Sequence, residues 1–201
     1  LFTVCESPTV NNASISYILY INLAFMFLIF VAIISLVLAL FGIIFLILEL
    51  YVGVIADFKG APFVPSKPNR IKTMIELAGI TQGTRIVDLG SGDGSILIET
   101  ARHGAIAAGI EINPFLIPYS RWRAKRAGVH DRVTIMRGDI KNFPLDQTDV
   151  VFLYLLTKSL VKLKTKLTAE LKPGTRVVSN GFPIPGWTPV QEKNVVFLYM
   201  I

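Results

Sequence analysis

The sequence contains a single cysteine and few charged residues. Cys5 alone provides neither a disulfide framework nor a cysteine-based metal site, so we predict that it is an incidental thiol. Only 17% of the 201 residues are charged, whereas 52% are hydrophobic and the mean hydropathy is +0.57. This composition excludes a disordered or fibrous chain, and it is too apolar on average for an ordinary soluble domain.

Lysine and arginine are absent from the first 50 residues. All 20 bases and 12 of the 14 acids lie in residues 51–201, which gives that part a formal charge of +8. Its 151 residues are enough for one domain with its own core, and a second large domain does not fit. The positive charge indicates an anionic neighbour, for which a membrane surface and a nucleic acid are both candidates.

A long apolar run dominates the N-terminal quarter of the chain. In the 26 residues 23–48 only Ser35 and Gly42 are not strongly apolar, and no charge interrupts the run. A helix of this length reaches roughly 39 Å, which exceeds the ~30 Å hydrocarbon core of a bilayer. We predict an uncleaved transmembrane anchor, because the run is longer than a signal peptide's apolar region and follows no basic segment. A fully buried core helix is the alternative.

Bases and prolines follow the apolar run. Four bases lie close behind it: Lys59, Lys67, Arg70 and Lys72. Their position predicts a single-pass protein whose C-terminal domain faces the cytoplasm, or the matrix side of the mitochondrial inner membrane in a eukaryote. Three prolines between residues 60 and 68 predict a stiff connection. The predicted parts are an N-terminal segment (1–16), the anchor (17–52), a Pro/Gly-rich linker (53–68) and a domain (69–201).

The domain alternates between predicted strands and helices. The predicted strands are 85–89, 106–112, 133–136, 150–155 and 176–179, and the predicted helices are 69–77, 95–103, 114–127 and 158–171. This alternation predicts an α/β fold with a parallel sheet and helices on both faces. The last segments, 188–191 and 195–201, predict a β-hairpin with a polar turn over residues 192–194. Ser66 is expected to cap the first helix of the domain.

The strongest motif is a glycine-rich loop directly after the first strand. It reads Ile86-Val-Asp-Leu-Gly-Ser-Gly-Asp-Gly94, and glycines there permit positive φ angles and a close approach to a ligand. The spacing differs from the Gly-x-Gly-x-x-Gly of dinucleotide sites, and the aspartates would repel a pyrophosphate. Carboxylates suit a cationic sulfonium with an amino group, so we predict S-adenosylmethionine as the cofactor. The predicted contacts in this segment are Asp88, Gly90, Ser91, Gly92, Asp93 and Gly94.

Acidic residues also follow the next two strands. Glu111 ends the second strand, 23 positions after Asp88, where an acid binds both ribose hydroxyls in sheets of this topology. Asp139 follows the third strand and is predicted to accept from the adenine amino group. Asn113 is assigned to the same site. Because the carboxyl ends of parallel strands share one edge, we expect these side chains around one ligand.

Longer segments of the domain resemble a known family. The glycine loop is joined by Glu111-Ile-Asn-Pro114, Tyr119-Ser-Arg-Trp-Arg-Ala124, Arg126-Ala-Gly-Val-His130 and Phe182-Pro-Ile-Pro-Gly-Trp-Thr-Pro189. Together they are similar to the membrane-anchored lysine methyltransferases of the ATP synthase c-subunit and the adenine nucleotide translocase. The resemblance spans about residues 61–201. It implies a Rossmann-like class I methyltransferase fold with a C-terminal β-hairpin, and methyl transfer from S-adenosylmethionine to a lysine of a membrane protein.

The sequence departs from the family's pattern at two places. Pro118 lies inside the helix predicted to begin at Pro114, where it should distort the first turns. The fourth strand ends Phe152-Leu-Tyr-Leu155, without the Gly-Val-Pro type of ending of the animal enzymes and without the Asp/Asn-Pro-Pro-Tyr signature of many amino-group methyltransferases. The family's exact protein substrates are therefore not transferred to this chain.

Residues after the fourth and fifth strands are candidates for the acceptor side of the site. Tyr154 is predicted to line the acceptor channel or to orient the amine, with simple packing as the alternative. Phe182, Pro183 and Trp187 are predicted to form an apolar, cation-attracting wall for a lysine, and Trp187 is also assigned to substrate positioning. A packed corner is the alternative for that segment. No general base is evident, because His103 and His130 are expected to be structural or solvated.

Three functions remain open from the sequence. The first is methylation of a lysine on a membrane protein, with the bilayer as a second partner and no metal. The second is methylation of a lipid-like small molecule or of RNA; RNA is disfavoured because no RNA-binding module fits and an anchor hinders access to ribosomes. The third is a non-catalytic membrane adaptor that binds the cofactor. A basic helix carries Arg121, Arg123, Lys125 and Arg126. A solvated face is the default interpretation of such a run, and lipid headgroups or an acidic partner are the alternatives.

Overall fold

The computed structural model describes residues 12–59 and 63–201, with side chains described for 15–51 and 63–201. The chain divides into two compact units, Leu1–Val54 and Ile55–Ile201. Cys5, most of the predicted N-terminal segment and linker residues 60–62 lie outside the described residues. The division falls within the predicted linker.

Helix α1 (Asn12–Lys59) forms the described part of the first unit and extends beyond it. Within the described residues, one helix is long and apolar enough to cross a membrane, over the 37 residues Ile15–Tyr51, where an 18-residue window reaches a mean hydropathy of 3.2. All side chains in this stretch are exposed, and nearly all of them are apolar. Helix α1 therefore has no polar face to present to water. By length and composition α1 is therefore a candidate membrane span.

The second unit is built on one seven-stranded sheet. Its strands are β1 (Arg85–Leu89), β2 (Ile106–Glu111), β3 (Val133–Arg137), β4 (Val150–Leu153), β5 (Arg176–Asn180), β6 (Gln191–Lys193) and β7 (Val196–Met200). They lie in the order β3-β2-β1-β4-β5-β7-β6. The first five are parallel, whereas β7 is antiparallel to both β5 and β6. This confirms the predicted class I methyltransferase sheet with a C-terminal hairpin.

Over the described residues 63–201, four α-helices and one 3₁₀ helix accompany the sheet. The α-helices are α2 (Pro68–Ala78), α3 (Ser95–Arg102), α4 (Leu116–Arg126) and α5 (Thr157–Glu170), and the 3₁₀ turn spans Ile140–Asn142. Apolar side chains of α2, α3 and α4 belong to one core cluster, and those of α5 belong to another that includes alternate residues of the same strands. The helices therefore cover both faces, and the carboxyl ends of β1 to β5 are left at one edge.

Two expectations about helix starts are wrong. Helix α2 begins at Pro68, and Lys67 occupies the capping position without a side-chain bond, so Ser66 is not the cap. Proline suits this first position because its missing N–H has no partner in a helix start. Helix α4 begins at Leu116, later than expected, which places Pro118 in the first turn. There its missing N–H removes no intrahelical bond, so Pro118 does not break the helix.

The closing hairpin and the fourth strand also differ in detail from the sequence prediction. Residues 191–193 are strand β6 itself, and the turn lies at Asn194 and Val195, whose φ angles are 52° and 59°. Strand β4 ends at Leu153, so Tyr154 lies just beyond the sheet. All four residues of β4 are buried and apolar residues continue past its end, so hydrophobicity alone did not mark where the strand stops.

Candidate functional site

The glycine loop is fastened to the end of the neighbouring strand. The amide groups of Gly90 and Ser91 both donate to the carbonyl oxygen of Ile110, at 2.9 and 3.0 Å. Gly90, Gly92 and Gly94 have φ angles of 91°, 53° and 74°, a region that residues other than glycine rarely adopt. The loop therefore turns sharply between β1 and α3 and exposes backbone at the carboxyl edge.

Glu111 is the residue that joins the loop to the end of β2. Its side chain is 7% exposed. One carboxylate oxygen accepts from the amide of Gly92 at 2.8 Å, and the other accepts from the amide of Asn113 at 2.7 Å. Each oxygen retains capacity for a further hydrogen bond, as binding of ribose hydroxyls would require. The predicted ribose contact stays a prediction, and the structure adds a role in shaping the loop.

Asp88 lies beneath the loop near the end of β1. It is 3% exposed, and burial raises the pKa of its carboxyl to about 8, with further contributions from the nearby Glu111 and Asp93 carboxylates. A carboxyl with this pKa keeps its proton at neutral pH until a positive charge approaches. A cationic ligand would therefore favour the ionised form of Asp88, whereas an anionic pyrophosphate would not.

Asp93 is held by structural contacts. Its Oδ2 atom accepts from the Ser95 hydroxyl at 2.8 Å and from Arg123, and its Oδ1 atom accepts from the Ser95 amide at 3.1 Å. Arg123 also donates to the Asp93 carbonyl oxygen at 2.9 Å. These bonds fix the start of α3 and connect it with α4. The contact of Arg123 with Asp93 was not predicted, because a base in a run of helical bases resembles a solvated one.

Ser91 packs inward beneath the loop. Its hydroxyl is buried and has no hydrogen-bond partner among the described residues. A Cβ atom on Gly109 of β2 would lie 2.7 Å from the Ser91 Oγ atom and 2.4 Å from the Cδ1 atom of Leu97. Gly109 therefore makes the space in which Ser91 and α3 approach the sheet, a role that the sequence analysis missed.

Asn113 and Asp139 occupy the turns after β2 and β3. The Asn113 side chain accepts from the Phe115 amide at 3.0 Å, and the exposed Asp139 side chain accepts from the Lys141 amide at 3.0 Å. Both residues thus stabilise the local turn at the carboxyl edge. Their predicted cofactor contacts stay predictions.

Phe63 lies over the glycine loop. A Cβ atom on Gly92 would stand 2.5 Å from the Cε2 atom of the Phe63 ring, so the ring rests directly on the glycine backbone. Phe63 precedes α2 and is separated from the loop by almost 30 residues of sequence. No local sequence pattern marks Phe63, so its contact with the loop was not predicted.

Tyr154 and Asn180 define the edge after β4 and β5. A Cβ atom added to Gly181 would lie 3.1 Å from the Cε2 atom of Tyr154, so the Tyr154 ring packs against this glycine. The φ angle of Gly181 is 81°. Asn180 is fully buried; its side chain accepts from Arg70 Nη1 at 3.2 Å and donates to the Ser66 hydroxyl at 3.4 Å. The segment around the start of α2 is therefore bound to the strand end beside Tyr154.

Trp187 lies in a packed corner. Its ring contacts that of Tyr199 edge-on, with 5.7 Å between centroids, and both Phe182 and Trp187 pack against the core cluster that contains α5. Lys164 of α5 donates to the carbonyl oxygen of Pro185 at 3.0 Å, which holds the segment in place. Pro183 is exposed. The predicted substrate wall of Phe182, Pro183 and Trp187 stays a prediction.

The two histidines lie outside this group of residues. Both are exposed, and His103 ends α3, where its Nδ1 atom lies 2.9 Å from the carbonyl oxygen of Glu99. Over the described ranges, no three His, Cys, Asp or Glu side chains form a group able to hold a metal ion. The described carboxyl edge thus presents backbone amides, carboxyl groups and a tyrosine.

Comparisons with known proteins agree with this geometry. A family model, the ANTKMT methyltransferase domain, matches residues 88–191, from the buried aspartate to the start of β6. The chain belongs to this family. A protein-lysine N-methyltransferase of Saccharolobus islandicus (strain REY15A) is 38% identical over 150 residues, which cover 70% of this chain and 93% of that protein.

Two further relatives broaden the comparison. The lysine N-methyltransferase of the ATP synthase c-subunit from Homo sapiens is 38% identical over 128 residues, covering 64% of this chain; the chain spans only 54% of the human protein. An RNA methyltransferase of Salinibacter ruber, crystallised with S-adenosyl-L-homocysteine, is 40% identical with a TM-score of 0.67, covering 69% of this chain and 94% of that one. The methyltransferase fold is thereby shown, with relatives of more than one stated substrate class.

Proposed function

We propose that this chain transfers a methyl group from S-adenosylmethionine to the Nζ atom of a lysine in a membrane protein. One observation carries the proposal: the chain combines an acidic, glycine-lined carboxyl edge with 38% identity to a protein-lysine N-methyltransferase of which it covers 93%. Relatives are named for the ATP synthase c-subunit and the adenine nucleotide translocase, which makes proteins of these two kinds the leading acceptors.

The acidic residues at the carboxyl edge of the sheet fit this cofactor. Asp88 is placed to ionise toward a cationic group, Glu111 offers carboxylate oxygens at the end of β2, and Asp139 is exposed beyond β3. Bound S-adenosylmethionine supplies a methyl group on a positively charged sulfur. Backbone amides and carboxyls of this chain bind and orient the cofactor, which is the main contribution to an in-line transfer that requires no protein nucleophile.

Tyr154 is proposed to meet the acceptor amine. It lies just beyond the end of β4, where its ring contacts the fixed segment at Gly181. The acceptor ammonium must lose one proton before its nitrogen attacks. The nitrogen–carbon bond then forms as the carbon–sulfur bond breaks, which leaves a methylammonium group and S-adenosylhomocysteine. The Tyr154 hydroxyl is proposed to orient the amine by a hydrogen bond, while solvent takes the proton.

Helix α1 is proposed to hold the enzyme at the membrane of its substrate. The stretch Ile15–Tyr51 is long enough to span, and the bases that follow favour a catalytic domain on the cytoplasmic or matrix side. Confinement near the bilayer raises the effective concentration of membrane-protein lysines over soluble ones. Protease digestion of sealed vesicles should remove a C-terminal tag only when the cytoplasmic or matrix surface faces outward. Protection in that orientation would contradict the topology.

Labelled methyl transfer tests the activity. Full-length protein is reconstituted into acceptor membranes with S-adenosylmethionine that carries a labelled methyl group. We expect label in a membrane protein as methyllysine, removed by protease and resistant to ribonuclease and to lipid extraction. The Salinibacter relative motivates the ribonuclease arm. Label in RNA or in extracted lipid would contradict the lysine proposal and indicate an RNA or lipid methyltransferase. Binding of the cofactor without transfer would indicate a non-catalytic adaptor.

A further inference from the structure

Helix α4 presents a row of exposed aromatic side chains. Phe115 just before the helix, Tyr119 and Trp122 are 59%, 49% and 53% exposed. Their spacing of four and three residues places them along one side of the helix, and Arg126 continues the row one turn later. Exposed large aromatics in a continuous row are unusual on a surface that meets only water.

Bases are interleaved with these rings. The Tyr119 and Trp122 rings stack with 6.1 Å between centroids. The Arg123 guanidinium lies 5.8 Å from the Tyr119 centroid, and that of Arg126 lies 5.4 Å from the Trp122 centroid. Helix α4 contains no acid, and Lys125 and Arg126 are exposed. We call Phe115, Tyr119, Trp122, Lys125 and Arg126 the aromatic–basic face.

The aromatic–basic face borders a groove of about 1120 Å³ between α2, α3 and α4. Trp122 and Arg126 line its α4 side, and Lys72 lies on its α2 side. Two acids also line it, but Glu76 is paired with Lys193 at 2.8 Å and Glu99 with Arg102 at 3.0 Å. The groove therefore continues the positive surface of the aromatic–basic face and complements anionic groups.

We propose that the aromatic–basic face docks on an anionic bilayer surface. Aromatic rings prefer the headgroup level of a membrane, and neighbouring Lys and Arg side chains bind anionic lipids electrostatically. The proposed span α1 would hold this chain in a bilayer. A bilayer surface is therefore a better-supported partner for this face than a soluble acidic protein. The docking concerns orientation of the catalytic domain, and it does not depend on which lysine is methylated.

Trp122 provides a direct probe, because the chain contains only two tryptophans and α1 contains none. The full-length Trp187→Phe protein, in which Trp122 is the remaining tryptophan, is reconstituted into phosphatidylcholine vesicles with and without phosphatidylserine. Lipids that carry a quencher near the headgroup should quench Trp122 in phosphatidylserine vesicles, and high salt should reduce the quenching. In the reciprocal Trp122→Phe protein, Trp187 should be quenched less.

Charge-matched variants separate docking from anchoring. Lys125→Gln combined with Arg126→Gln should lower the quenching of Trp122 about twofold or more, since each base adds attraction to anionic lipid. Lys158→Gln combined with Lys162→Gln removes the same charge from exposed positions of α5, on the opposite face of the sheet, and should leave the quenching unchanged. Equal effects of both pairs would overturn the proposal.

Flotation with vesicles at high salt tests the proposed span independently. If the protein floats but Trp122 is not quenched, the docking proposal fails and an acidic protein becomes the occupant to test. If the protein does not float, the proposed span fails, and with it the argument for a bilayer beside α4.

Discussion

The two halves of the carboxyl edge are built in different ways. The cofactor half, after β1 and β2, is held by bonds within a short stretch; Gly92 and Glu111 are only 19 positions apart. The acceptor half, after β4 and β5, is held by bonds across the chain; Asn180 is 110 positions from Arg70 and 114 from Ser66. The proposed cofactor half thus depends mainly on bonds between neighbouring segments, while the proposed acceptor half depends on bonds between segments more than 100 positions apart.

Replacing Glu111 should have the largest effect, and it should be confined to the cofactor half. Glu111→Ala removes the acceptor for the amides of both Gly92 and Asn113, as well as the proposed ribose contact. Loss of a charge-assisted hydrogen bond costs roughly 1.5 to 3 kcal/mol, so two such losses should raise the Kd for S-adenosylmethionine about a hundredfold or more. Titration calorimetry of the full-length protein in detergent measures this.

The matched control is Glu99→Ala. It makes the same change at a half-buried position of α3, where the carboxylate forms a surface ion pair with Arg102 near the helix end. The Kd should stay within about twofold of the parent value, because surface ion pairs contribute little. A similar loss of affinity in both proteins would show that Glu111 does not shape the cofactor half in the way that its bonds indicate.

Asp88 should give cofactor binding a distinctive pH dependence. Its pKa is raised to about 8 in the free protein, and a cationic cofactor favours the ionised carboxyl. Affinity should therefore rise with pH by up to about tenfold per unit below pH 8 and level off above it. The Asp88→Asn protein should lack this rise, and comparison of the two cancels the titration of the cofactor's own amino group. Parallel pH profiles would contradict the prediction.

The same carboxyl should affect stability with the opposite sign. Since the pKa of Asp88 is higher in the folded than in the unfolded chain, the folded state holds the proton more tightly between about pH 4 and pH 8. The contribution of Asp88 to the free energy of unfolding of the free protein should therefore fall as pH rises through that window. Thermal unfolding of the Asp88→Asn protein should show a smaller fall, and added cofactor should oppose it in the parent.

The glycine loop and the acids at the neighbouring strand ends could be predicted from sequence because their pattern is local, while their cofactor contacts stay predictions. A buried strand, three glycines and an acid at the end of the next strand occur within 26 residues, and parallel topology brings the strand ends together. The sheet and its C-terminal hairpin were predicted for the same reason. Strand and helix ends moved by one to three residues where burial was continuous, as at β4, or where a helix start had two suitable positions, as at α4.

The contacts that were missed depend on tertiary structure. Phe63 covers Gly92, Arg123 binds Asp93, and Gly109 makes room for Ser91, yet none of these pairs shares a sequence pattern. Asn180 could have been noticed as a polar residue at the carboxyl end of a strand. Its partners Arg70 and Ser66 could not, because only the packing of α2 beside β5 brings them near.

Asn180 provides the subtler test, on the acceptor half. Asn180→Ala removes the bonds to Arg70 and Ser66 and should loosen Arg70 and Gly181, against which the Tyr154 ring packs. Two partly buried hydrogen bonds are worth about 1 kcal/mol each, so we expect a rate of methyl transfer up to about thirtyfold lower, with a Kd for S-adenosylmethionine within about twofold of the parent. Asn180→Asp, which keeps an acceptor for Arg70, should retain more of the rate than Asn180→Ala. If Asn180→Ala lowers the affinity for the cofactor as much as the transfer rate, the two halves of the edge are not independent. Loss of the bond between Arg70 and Asn180 would then also alter the glycine loop.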